Sequence, residues 1–158
     1  MLNKFGISFF FVFCGLLNLI NAQVAVSDAL KKTISVLAAD SLEGRASGTG
    51  AEVKASKYIS DEFFRLGLSP IGENYHHDFT YLINGREITS RNVAALKQNA
   101  SDSIIVISAH FDHLGLGGEK SRSLKSNRIH PGADDNASGV ALMLAIAHFL
   151  AHSDEQNY

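Results

Sequence analysis

Apolar residues recur every three to four positions in three stretches of the chain and cluster or alternate in short runs between them, so both helices and strands are predicted. Ser27 to Ala39 reads as a helix. Ser27 and Asp28 suit its start, and Leu30, Ile34 and Leu37 share one face. A second helix is predicted from about Ala51 to Leu66, with Ala55, Ile59, Phe63 and Leu66 as its buried stripe and Gly67 as its C-terminal cap. Val140 to His152 reads as a third helix, apolar almost all round and therefore buried. Phe79 to Ile88 is a predicted hairpin, because Asn84-Gly85 is the favoured two-residue turn between apolar flanks. Asn92 to Leu96 and Ser103 to Ala109 read as short strands. The second, SIIVISA, is apolar on both faces and rich in branched residues, which predicts a central strand covered on both sides.

Two loops stand between these elements. Asp40 to Gly50 (DSLEGRASGTG) is rich in Gly and Ser. Phe111 to Asp134 is long for a compact domain, where structureless loops of this size are uncommon and tend to carry function. Strand, loop and buried helix together predict an α/β sandwich. In such folds sites form beyond the carboxyl ends of the strands, and His110 stands at that end of the most apolar one.

The first 22 residues follow another plan. Lys4 is followed by an apolar run, Phe5 to Ile20, and then by Asn21-Ala22 and the polar Gln23, which is the layout of a secretory signal peptide cleaved after Ala22. The run is short for a bilayer span. Cys14 is preceded by bulky Phe13, where a lipoprotein signal wants a small residue. It is also the only cysteine, so residues 23–158 carry neither disulfide nor thiol. The expectation is a secreted or periplasmic protein whose fold begins after residue 22, with no stable membrane insertion. The 158 residues suffice for one domain with a core. A formal net charge of −2 with no basic stripe argues against nucleic acid as a partner.

Chemistry concentrates in two clusters, Ser108 to Gly115 (SAHFDHLG) and Gly132 to Gly139 (GADDNASG). The first begins where the apolar strand ends, and the second opens the third helix, so both are expected at one sheet edge. Imidazole nitrogen and carboxylate oxygen are the usual non-thiol ligands of zinc. Asp112, two residues beyond His110, is placed to orient the imidazole through its other nitrogen. Asp135 offers two oxygens, enough to serve two ions, and Asn136 or Asp135 can also cap the helix that follows. Asp134 reads as structural, His113 and His130 as candidates to line the cleft, and His76 and His77 as a solvated pair. Asn99-Ala100-Ser101 and Asn136-Ala137-Ser138 match the short glycosylation pattern. Gly115 to Ser121 lacks the glycine spacing of a phosphate loop, and no Gly-x-Ser-x-Gly elbow supports a serine hydrolase.

HFDHLG followed by PGADDNASGV resembles the co-catalytic zinc aminopeptidases of the aminopeptidase Y and bacterial leucyl aminopeptidase type, as do LAADSLEGRASGTG and the helix ending in RLGLSP. The likeness runs over residues 30 to 152. It implies a zinc exopeptidase-like α/β/α sandwich with a central, mostly parallel mixed sheet flanked by helices. It also implies a peptide or protein substrate and two zinc ions. On matching positions, His110 is a ligand of one zinc, Asp112 the aspartate that orients it, and Asp135 the aspartate bridging both ions; a cis bond after Asp135 is implied as well. The family also requires a Glu-Glu pair on the next strand, a further Asp or Glu, and a distant His. None has a counterpart here, since Asp154-Glu155 stands at a helix end. The expectation is therefore a truncated fold: residues 23–158 form the N-terminal portion of a longer peptidase domain, inactive alone. A carboxypeptidase or glutaminyl cyclase on the same scaffold, or a metal-free binding module, is the alternative.

Overall fold

The computed structural model describes residues 26–98, 102–118, 121 and 127–153. The expected signal peptide, the Asn99-Ala100-Ser101 pattern and the Asp154-Glu155 pair lie outside or partly outside the described residues. No described helix is long and apolar enough to cross a membrane. Among the described residues the fold is mixed α/β, with three helices and small antiparallel sheets.

Residues 26–37 are helical (α1), and Leu37 is fully buried. A 3-10 turn, Asp40–Leu42, follows. Helix α2 (Gly50–Arg65) starts at Thr49, whose hydroxyl accepts the Glu52 N–H. Its predicted stripe faces inward: Ala55, Ile59 and Phe63 are buried and Leu66 is half-buried. It ends at Gly67, at φ 69°, with Leu68 N–H donating to Phe63 O and Gly67 N–H to Phe64 O. This paired closure satisfies carbonyls that the helix leaves free and needs a left-handed residue, hence glycine. Helix α3 (Ser138–His152) packs Val140, Ala141 and Leu144 inward. Val140 and Leu144 join Leu37, Ile59, Phe63 and Phe111 in one core.

The hairpin forms as the Asn-Gly turn predicts. Strands β2 (His76–Ile83) and β3 (Arg86–Val93) pair antiparallel, Ile83 opposite Arg86, with Asn84 and Gly85 both at positive φ. Its root is tied to α2 by the buried Glu52 carboxylate, which accepts from Gly48 N (2.6 Å), Ser90 Oγ and Arg91 N. A second pair, β1 (Ser69–Pro70) with β4 (Ala95–Leu96), is also antiparallel.

Three expectations differ from what the described residues show. First, the described residues contain no parallel pairing, so the mostly parallel central sheet is absent from them. Residues 104–109 are not in a strand there, and Ile104 and Val106 are 83% and 81% exposed. An extended run becomes a ladder only where a neighbouring strand supplies hydrogen-bonding groups, and the described strands pair elsewhere. Second, α3 is not buried all round: Leu142 and Phe149 are exposed, because only one face meets the core. An apolar cleft of about 1070 Å³ separates α3 from residues 92–98 and 103–112. Third, His76 and His77 are half-buried rather than solvated, and each has its Nε2 shielded without a hydrogen-bond partner among the described residues.

Candidate metal-binding edge

His110 ends the apolar run, and Asp135 lies in the irregular turn Ala133–Ala137 that leads into α3. Neither Asp135 (φ −111°, ψ 94°) nor Asn136 (φ −136°, ψ 41°) is helical there, and the bond joining them is cis, as the resemblance implies. The Asn136 amide holds this turn in place. Its Nδ2 donates to His110 O (3.3 Å), and its Oδ1 accepts the Gly139 N–H (3.1 Å) as a cap for α3. Gly139 has no room for a Cβ beside the Asn136 side chain. The Asp134 carbonyl accepts from Ser138 Oγ (2.7 Å).

The two clusters meet. His110 Nε2 lies 3.1 Å from Asp135 Oδ1. His110 Nδ1 lies 3.2 Å from the Asp112 carbonyl, an acceptor only, so the proton is assigned to Nδ1 and the Nε2 lone pair faces the carboxylate. Two lone-pair donors this close repel unless a proton or a cation lies between them. Two ligands of one tetrahedral zinc, at bonds of about 2 Å, stand about 3.3 Å apart. The pair therefore fits two corners of one coordination sphere. Asp112 Oδ1 lies 3.5 Å from His110 Nδ1, and Oδ2 accepts from Ser47 Oγ (2.8 Å). The ring is thus met by the backbone carbonyl of Asp112 at closer range than by its carboxylate. Among the described residues no group of three or more His, Cys, Asp or Glu side chains is disposed to hold a metal.

His113 faces the second oxygen of Asp135, Nδ1 to Oδ2 3.7 Å, and its ring is 6.5 Å from that of His130. Burial lowers its pKa, the Asp135 charge opposes this, and Arg45, His130 and His110 reinforce it. His130 is fixed by Arg128 O (2.8 Å) on Nδ1 and Ser121 Oγ (2.7 Å) on Nε2.

The sequence reading missed Arg45 and Ser47 in the Gly- and Ser-rich loop. Arg45 is fully buried. Burial pulls its pKa below the usual arginine range, and the charges of Asp112 and Asp135 pull it back up. The local signal was a lone arginine in an apparently flexible loop, which periodicity cannot distinguish from a solvated one.

Residues 92–157 match peptidase family M28. The matched span holds His110, Asp112, Asp135 and all of α3. The chain is also similar to the alkaline phosphatase isozyme conversion protein of Escherichia coli (strain K12), 26% identical over 116 residues. That alignment covers 70% of this chain and 34% of the relative, so the chain spans about a third of the length of the curated relative it matches. No solved structure gives a significant match. The M28 match and this similarity both support the likeness to zinc aminopeptidases carried by HFDHLG and PGADDNASGV.

Proposed function

We propose that this chain is part of an exported, zinc-dependent metallopeptidase that removes N-terminal residues from peptides with two zinc ions. The observation that carries the reading is the 3.1 Å approach of His110 Nε2 to Asp135 Oδ1, two lone-pair donors from the two motifs, 25 positions apart in sequence. The M28 match supports the metallopeptidase class. Residues 1–22 support export, and the absence of a basic stripe from the sequence favours a peptide over a nucleic acid.

In this reading His110 and Asp135 would hold metal. Zinc bound there supplies Lewis-acid polarisation of a carbonyl and brings the pKa of water down to about 7. His110 presents Nε2 because Asp112 fixes its tautomer at Nδ1. Ser47 holds the Asp112 carboxylate, and Asn136 holds the two motifs together. The remaining ligands and the general base are proposed to come from residues other than those described. The same holds for the sheet: residues 103–109 are proposed as a central strand, since their exposed branched side chains and the apolar cleft beside them call for cover.

The test uses the full-length protein, an amino-acid anilide with a free amine, and its N-acetylated counterpart. The expected result is zinc-dependent release of the chromogenic amine from the free substrate alone, lost in His110→Ala and in Asp135→Ala. Equal cleavage of the blocked substrate would remove the aminopeptidase assignment, and turnover unchanged after chelation would remove the metal.

A further inference from the structure

The His110 and Asp135 segments are gripped by a single side chain. Arg45 Nε donates to Phe111 O (2.7 Å), the residue after His110. Nη1 donates to Pro131 O (2.7 Å) and to Leu37 O at the end of α1, and Nη2 to Gly132 O (3.0 Å), three residues before Asp135. The backbone of the same turn adds to the grip: Arg45 O accepts His113 N–H (3.1 Å), and Gly44 O accepts Gly115 N–H (3.0 Å). No side-chain acceptor is used. The guanidinium is spent on four carbonyls, while its charge faces Asp112 and Asp135. Burying a cation is costly, and if covering Leu37 and Phe111 were the only requirement, an apolar residue of similar volume would do as well. A planar fork of five donors can fix several carbonyls at set angles, which a lysine cannot. The fit is close: at Gly132, φ 57°, an added Cβ would come within 2.7 Å of Arg45 Nη2.

We propose that Arg45 is the positioning residue of this edge, setting the separation of His110 and Asp135 by fixing the Phe111 and Pro131-Gly132 carbonyls to one rigid plane. The inference rests on the metal reading of those two residues. It acts through them, since Arg45 touches neither a ligand atom nor a substrate.

The test is the zinc dissociation constant of full-length protein, measured by competition with a chromophoric chelator and referred to the folded fraction by circular dichroism. Arg45→Lys keeps the charge and loses the fork. The expected result is a folded variant whose dissociation constant rises about 10- to 100-fold, the range seen when a group supporting a ligand is lost. A folded Arg45→Lys protein that binds zinc as the wild type does overturns the proposal and leaves only a packing role. Should the variant not fold, the wild type decides by nuclear magnetic resonance. The Arg45 Nε–H signal is expected to shift as zinc is titrated in, together with the His110 ring signals, and an Nε–H signal that stays still overturns the proposal. Wild-type protein that binds no zinc overturns the metal reading itself, and this inference with it.

Discussion

Residues 104–107 and 111–115 flank His110 on either side, yet they meet opposite surroundings. The second segment is bonded to the turn around Arg45 through Phe111 O, His113 N and Gly115 N, and Phe111 lies in the core. The first has no strand partner among the described residues and leaves Ile104, Ile105 and Val106 exposed. His110 sits at the joint. The difference teaches that the edge carrying His110 and Asp135 is held from the side that is polar and bonded. The apolar side, which the sequence marks as the more buried, leaves its branched side chains in water within the described fold.

That contrast can be broken most severely from the packed side. Phe63→Ala removes a large buried side chain from the core and is expected to cost about 3–5 kcal/mol in urea denaturation. Gly132→Ala comes next. Its positive φ and the 2.6–2.7 Å approach of Asp135 O, Arg45 Nη2 and His113 Cδ2 to an added Cβ leave no soft response. A loss of about 1–3 kcal/mol is expected by the same measurement. Thr49→Ala removes the cap of α2, from which the Glu52 anchor of the hairpin projects, and is expected to cost about 1 kcal/mol. The smallest effect belongs to the bare side. Val106→Thr in the 158-residue chain is expected to stay within about 0.5 kcal/mol, because the side chain is already in water. Repeating it in a longer protein sharpens the comparison: if the proposed sheet covers Val106, the buried hydroxyl should cost about 1–3 kcal/mol.

Much of the fold was legible because it is local. The stripe Ala55, Ile59 and Phe63 is a helical period, Asn84-Gly85 is a turn type, and Gly67 is a helix end, each set within a few residues. The meeting of His110 and Asp135 was legible only through motifs, since nothing local joins positions so far apart. Two things escaped. Branched apolar composition predicted a covered strand at 103–109, but composition states a demand for partners and does not supply them. The Gly- and Ser-rich run 40–50 read as a plain loop. Arg45 earns its place there through acceptors at 111, 131 and 132, which no window around it contains.

The span of those bonds carries a consequence for the order of assembly. The fork on Arg45 closes contacts 66, 86 and 87 residues away along the chain. During synthesis the arginine therefore exists long before its acceptors do. Until the 131–132 turn has emerged, the guanidinium must stay hydrated, and the loop around it cannot take its final shape. The helices can form early from neighbouring residues, but the edge that holds His110 against Asp135 is completed only when its most distant piece arrives.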